Sequence, residues 1–240
     1  DSININTTKT KIIFRAFLMF ISLMSLLIIN TRLALSVFIL FSPIYIFSIR
    51  LKNAKYIKSL LLFSSVITLV VFLKIFPNTM TKFTEKTFNN LEMLGRLDEL
   101  DSPEKQVYGS LVTRATVWNI TFNIAVENII YGLGTSKSYP ILFDKYQDLN
   151  QSFLLKHKYK VHNQFLDFFL KFGFLGPLLL VLFFINILRL YISVKEPYIL
   201  YFFILFLSAN CVDDFLIRYD GIVFSSFWIC IFCKNHLDTK

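Results

Sequence analysis

The sequence predicts an all-α, polytopic integral membrane protein. Hydrophobic residues make up 55% of the 240 residues, and the mean hydropathy is +0.58. Charged residues make up 17%, below the roughly 25% of an ordinary soluble domain. The apolar residues are also grouped into long runs of the length that a bilayer requires. Together these observations exclude a soluble single domain.

Six apolar runs are predicted to span the membrane. They cover residues 12–29, 33–49, 57–76, 174–192, 198–212 and 221–233. The last run is short for a span, so we expect its helix to begin near Phe215. The chain then divides into N-terminal spans (residues 1–76), an extracytoplasmic segment (residues 77–173) and C-terminal spans (residues 174–240).

Basic residues orient these spans, because Lys and Arg are concentrated on the cytoplasmic side of membrane proteins. They lie before the first run, between the second and third, between the fourth and fifth, and after the sixth. The turn at Arg32, residues 77–173 and the loop from Asp213 to Gly221 then lie on the outer face. The net charge of +9 is explained by this topology, so we expect contact with membrane lipid and no nucleic acid.

Residues 77–173 are too long for a bare loop and are predicted to contain two helices. The first is expected over residues 104–131, because Pro103 suits the first helical position and apolar residues recur at spacings of three and four. Gly132 and Gly134 would end it. The second helix is expected from about His162 to Phe172.

Two arginines are candidates for binding an anion. Arg114 and Trp118 are four residues apart and share one face of the predicted helix. They could form a cation–π pair that packs the helix, or Arg114 could face an anionic ligand such as phosphate. Arg32, between two spans, could be an interfacial anchor or a functional residue.

The other candidates are one histidine with its neighbours. His162 could act as a general base near neutral pH, or it could be an interfacial histidine without a role. Asn163 follows it, after the basic run that includes Lys156, Lys158 and Lys160, which we interpret as a solvated charge run. Asp213 and Asp214 could be solvated, or could pair with Arg32, Arg114 or His162.

The remaining polar motifs are weaker. Gly132-x-Gly134 is more typical of a turn than of a phosphate cradle, since no strand precedes it. Cys211, Cys230 and Cys233 are interpreted as small packing residues. The sequence contains no carboxylate-rich cluster suited to Mg²⁺ and no His/Cys set suited to zinc, so we expect no metal and no cofactor.

The order of these pieces resembles the superfamily of O-antigen ligases and O-antigen polymerases, which are bacterial membrane glycosyltransferases. In chain order the motifs are the turn at Thr31-Arg32, Arg114-x-x-x-Trp118, Gly132-x-Gly134, His162-Asn163-Gln164-Phe165-Leu166 and Gly173-x-x-Gly176. The resemblance covers roughly residues 30–190. Two departures are Thr31, where the family usually has Ser, and Lys171, where many members carry Glu.

The resemblance implies a multi-pass enzyme of the bacterial plasma membrane with its active site on the outer (periplasmic) face. The donor would be a glycan linked to undecaprenyl diphosphate, and the acceptor a glycan or a lipid. Arg32 and Arg114 would hold the donor diphosphate, and His162 would activate the acceptor hydroxyl. Asp213 or Asp214 would correspond to a late acidic residue. Members usually have more spans than these, so we expect further spans before residue 1.

Within that family we favour a polymerase over a ligase. A transporter or flippase of a lipid-linked or anionic substrate is the alternative from another class, and a scaffold is a third. A transporter should carry ionisable residues near the middle of its spans. The predicted spans are nearly free of them, which favours an enzyme.

Overall fold

The fold is described by a computed structural model for residues 90–238, together with Phe63, Val66, Ile67, Val70 and Lys74. The chain divides into two compact units, Asp1–Met80 and Thr81–Lys240. The five single residues are helical and belong to the predicted third span. Arg32, the first two predicted spans and the remainder of the third lie outside the described residues.

Every regular element within residues 90–238 is helical. The upstream α-helices are α1 (Pro103–Gln106), α2 (Leu111–Glu127), α3 (Gly134–Asp148) and α4 (Ser152–Lys156). Helix α5 (Gln164–Phe172) follows, and then the C-terminal helices α6 (Leu175–Val194), α7 (Pro197–Val212) and α8 (Tyr219–Asp238). Short 3-10 turns occupy Leu91–Met93, Leu97–Glu99 and Phe215–Ile217.

The prediction of a single helix over residues 104–131 is wrong. The structure divides it into α1 and α2, because Gly109 takes a positive φ of 67° and interrupts the helix. Ser110 then starts α2 as its N-cap, accepting a hydrogen bond from the Thr113 amide at 3.3 Å. Helix α2 also ends early, at Glu127, and Gly134 begins α3 instead of ending α2.

Helices α3 and α4 were not predicted. Helix α3 is polar for its length and contains Pro140, a residue that normally interrupts a helix interior. Its buried side chains are few, Ser138, Leu142 and Tyr146, so the apolar periodicity is weak. Helix α4 contains Lys156, which pairs with Glu104. That lysine stays 68% exposed, so its ion pair with α1 lies at the surface.

The predicted elements from α5 onward are confirmed, with ends that differ from the structure by at most five residues. Among the described residues, α6 is the helix long and apolar enough to cross a membrane, and α7 is apolar but shorter. Helix α8 has the length of a span, and the turn at Phe215–Ile217 precedes it as a separate element. The total of about six spans stays a prediction.

Helix α5 lies between two hydrophobic cores. The upstream core contains Val112, Leu142, Tyr146, Leu154 and Val161, and the C-terminal core contains Leu180, Phe184, Phe202, Phe206 and Phe232. Helix α5 packs Leu166, Phe169 and Leu170 against the first and Phe165 and Phe168 against the second. Its two faces thus join the upstream helices to the C-terminal ones.

The two buried charged residues of α5 pair with each other. Asp167 is fully buried, accepts a hydrogen bond from the Tyr139 hydroxyl at 2.8 Å, and pairs with Lys171 at 2.7 Å. Lys171 also lies over the Tyr139 ring, 4.9 Å from its centroid. Because a buried charge is tolerated only with partners, this set explains how Lys171 is accommodated in the interior.

Two glycines bring the end of α2 against the end of α5. Gly132 and Gly173 have φ of 66° and 61°, a region that favours glycine. A Cβ on Gly132 would lie 2.5 Å from the Lys171 carbonyl oxygen, and one on Gly173 would lie 2.5 Å from the Ile129 carbonyl oxygen. The Phe174 amide donates to that Ile129 oxygen at 2.7 Å. The backbones therefore touch directly at this contact.

We predict that Gly132→Ala destabilises the protein more than Gly109→Ala. Both positions have positive φ, so each variant carries the left-handed strain of about 1–2 kcal/mol. Only Gly132 adds a clash with backbone, which costs about 1–3 kcal/mol more, since a Cβ on Gly109 meets nothing within 4 Å. Thermal unfolding of the full chain in detergent, followed by circular dichroism, compares the two. Equal losses would contradict the packing role of Gly132.

Candidate functional site

His162 lies in a strained turn immediately before α5. Its φ is 49°, in the left-handed region that non-glycine residues seldom adopt. Asn163 is the N-cap of α5, and its Oδ1 accepts a hydrogen bond from the Leu166 amide at 3.1 Å. Such strain persists only where the surroundings enforce it, and it is concentrated at functional sites.

Three hydrogen bonds attach the end of α7 and the connection that follows it (residues 211–216) to this turn, to the start of α5 and to α2. The Asn163 side-chain amide donates to the Cys211 carbonyl at 2.9 Å, and Arg114 donates to the Val212 carbonyl at 2.8 Å. The Leu216 amide donates to Gln164 Oε1 at 2.9 Å. Residues 211–216 are therefore held against the start of α5, which brings Asp213 and Asp214 to His162.

An ionic cluster forms at that junction. His162 Nδ1 lies 3.1 Å from an oxygen of Asp213 and 3.7 Å from one of Asp214. Arg218 pairs with Asp213 and, at 3.2 Å, with Asp214. Asp214 is buried, whereas His162 and Asp213 are each about one-third exposed. Nδ1 is therefore the ring nitrogen that contacts the carboxylates.

The cluster controls protonation of the histidine. The hydrogen bond that His162 donates to Asp213, and then the one to Asp214, outweigh burial and raise the pKa of His162 to about 9. The imidazole is thus mostly charged at neutral pH, unlike the neutral base expected from the sequence. Burial would raise the pKa of Asp214, but interactions with His162, Asp213 and Arg218 hold it well below its usual range.

Arg114 and Trp118 lie beside the histidine and aspartate. The indole N–H of Trp118 donates to the carbonyl of Val161, the residue before His162, at 2.8 Å. Arg114 donates to the carbonyl of Val212, the residue before Asp213. One face of α2 therefore contacts the chain next to both members of the pair. This brings four of the predicted site residues together, with Asn163 and Asp214 nearby.

Gly132 and Gly134 lie away from this cluster. Gly132 contacts the Lys171–Gly173 end of α5, whereas His162 precedes the other end. Nine residues separate these ends, or about 14 Å of helix. The structure gives Gly132 a packing role there. Arg32 falls outside the described residues.

Two residues of the cluster were missed by the sequence analysis. Arg218 was not singled out, although it lies four and five residues after the two aspartates, a spacing that allows a local ion pair. Gln164 appeared only within the family motif, yet it is fully buried and its Oε1 fixes the 211–216 connection. No local signal in the sequence distinguishes it from a surface glutamine.

The cluster also offers ligand atoms for a metal ion, which the sequence analysis did not expect. Atoms of His162, Asp213 and Asp214 lie within 4.8 Å of one another. Arg218 pairs with both carboxylates, so a metal ion would have to compete with its guanidinium for the same oxygens. These side chains fit a histidine that is hydrogen-bonded to carboxylates better than they fit a cation site.

The fold and this cluster define a helical membrane protein with a polar site at one end of its apolar helices. The sequence model of the O-antigen ligase family matches residues 17–184. That match covers more than half of the chain, so the protein belongs to this family. Members are glycosyltransferase-like enzymes of the bacterial inner membrane. No curated protein and no solved structure matches the chain.

We predict that Asp213→Asn lowers the pKa of His162 from about 9 towards 6.5, because it removes the strongest partner of the charged imidazole. Nuclear magnetic resonance of labelled histidine, followed against pH, measures the midpoint. Asp144→Asn, on α3, is the control and should leave it unchanged. A midpoint that stays near 9 in Asp213→Asn would contradict the pairing.

The sign of the pH effect on stability follows from the raised pKa. The contribution of this pair to the free energy of unfolding is complete below about pH 6.5 and is lost as the pH rises through about 9. In Asp213→Asn the free energy of unfolding should therefore change less with pH over this range.

Proposed function

We propose that the protein is a glycosyltransferase that acts at the outer face of the bacterial plasma membrane. Its donor would be a glycan on undecaprenyl diphosphate, and the reaction would be polymerisation of a surface glycan. Ligation of the glycan to a lipid acceptor is the alternative reaction of the same family. The family match supports the general class of reaction and of partner.

One observation carries the proposal. His162 Nδ1 is 3.1 Å from Asp213, and Arg114 is bonded to the carbonyl directly before that aspartate. A base oriented by a carboxylate, with an arginine beside it, is the arrangement that transfer from a diphosphate leaving group needs.

In the proposed reaction, Nε2 of His162 removes the proton from the acceptor hydroxyl. The acceptor oxygen forms a bond to the anomeric carbon of the donor sugar as the bond from that carbon to the diphosphate oxygen breaks. Negative charge accumulates on the leaving diphosphate. Arg114 and Arg32 stabilise it, because guanidinium groups bind phosphate oxygens with two parallel hydrogen bonds.

Asp213, Asp214 and Arg218 would prepare the histidine for this step. Asp213 fixes the ring through Nδ1 and stabilises the imidazolium that forms, while Arg218 offsets the charge of the two carboxylates. We propose that no metal is needed, since arginines supply the positive charge. Activity retained in a strong chelator is the result expected from this scheme.

We predict that His162→Ala abolishes turnover and leaves donor binding within about threefold, because it removes the base but not the arginines; general-base groups contribute about 10²–10⁴ in rate. Transfer of a labelled glycan by purified full-length protein in lipid nanodiscs measures turnover. In the unmodified protein the rate should rise with pH towards about 9, as the neutral form of His162 increases.

His157→Ala is the matched control. His157 lies five residues upstream, next to Glu104 and the Tyr108 ring, and should keep turnover. Full turnover in His162→Ala would reject the catalytic role of this histidine. A transporter would instead move the substrate across the membrane, and His162→Ala would leave that movement nearly unchanged.

We predict that deleting the gene in its host collapses lipid-linked glycan to single repeat units. Polymerisation joins those units, and a His162→Ala copy should fail to restore the longer chains. Gel separation of the lipid-linked glycan gives the size distribution. Full-length glycan stranded on its carrier would instead identify a ligase, and no change on deletion would reject both reactions.

A further inference from the structure

An exposed apolar patch lies at the end of the molecule where α2 and α5 finish and α6 begins. It consists of Ile129, Ile130, Tyr131, Phe172, Phe174 and Leu175, and we call it the apolar rim. Each of these side chains is at least 42% exposed, and Tyr131 is 86% exposed. Large apolar side chains are common singly on protein surfaces, but a contiguous set of them marks an interaction surface.

The rim is held in place by backbone contacts. The Phe174 amide donates to the Ile129 carbonyl at 2.7 Å, and the Leu133 amide donates to the Leu170 carbonyl at 2.9 Å. Gly132 and Gly173 allow the two chains to approach this closely. The segment 129–131 is therefore fixed beside the first residues of α6, at the same level along that helix.

The rim is continuous with the exposed apolar face of α6, which we expect to face lipid. Helix α6 is the described helix that can cross a membrane, and Leu178, Leu179 and Leu182 on it are also exposed. Residues 172–188 contain no charged side chain, and residues 128–134 contain none either. A lipid-facing helix surface and the rim thus form one uncharged apolar surface.

We propose that the apolar rim inserts into the outer-leaflet interface of the bilayer and anchors the upstream helices to the membrane. Tyr131 suits this position, because an aromatic ring with a polar tip is favoured between acyl chains and headgroups. The occupant of the surface is therefore lipid, next to the start of α6.

The rim is separate from the proposed chemistry. His162 lies before the first residue of α5, whereas the rim lies beyond its last residue, Phe172. Loss of the anchor and loss of the base can therefore be distinguished by experiment.

The test places a tryptophan in the rim. Tyr131→Trp is made in the full chain and reconstituted in phosphatidylcholine bilayers with brominated or ordinary acyl chains. Emission of the unmodified protein, from Trp118 and Trp228, is subtracted. We expect the added emission to shift to shorter wavelength, to be lost with brominated chains, and to resist quenching by iodide in the water. Ile130→Trp should behave in the same way.

Tyr108→Trp is the matched control. Tyr108 is 61% exposed on the connection between α1 and α2, at the opposite end of α2 from the rim, and its added emission should respond to iodide only. Quenching of the tryptophan at position 131 by iodide and not by bromine would overturn the proposal and show a water-facing surface. Quenching by neither would also overturn it and show that protein covers the rim.

Discussion

Helix α5 has to satisfy two hydrophobic cores at once, and the arrangement of the rest of the described chain depends on this constraint. A nine-residue helix with apolar side chains on two faces has little room for polar groups. Each charged side chain that it buries must therefore find a partner. Asp167 and Lys171 pair with each other, and Gln164 accepts from the 211–216 connection. These pairings fix the rotation of α5 and the position of the turn that carries His162.

The site depends on a balance of charge at that turn. Two carboxylates, an arginine and an imidazole meet within hydrogen-bonding distance at the junction of α5 and the 211–216 connection. The carboxylates stabilise the charged imidazole, and Arg218 limits how strongly they do so. An anionic donor bound nearby by Arg114 would act in the same direction as the aspartates. The protein thus uses oriented side chains to set the proton affinity of one ring.

The sequence predicted the parts of this fold that are determined by composition and by residues that end helices. Helices α6 and α7 were found because their apolar runs are long, and α5 was found because Gly173 ends it. The break at Gly109 was missed, since the apolar periodicity continues through it. Helix α3 was missed because its register is set by packing against α5 rather than by its own pattern. Arg218 was missed although its partners, Asp213 and Asp214, are close in sequence. Gln164 acquires its role from a tertiary contact, which a single sequence does not reveal.

The double-faced packing of α5 has a consequence for how the protein unfolds. Removing the upstream helices would expose Leu166 and Phe169 to water, and separating the C-terminal helices would expose Phe165 and Phe168. Neither the upstream helices nor the C-terminal helices can unfold while the other group keeps its full set of apolar contacts. The two groups of helices are therefore thermodynamically coupled through one short helix. Residues on either side of it belong to a single cooperative unit.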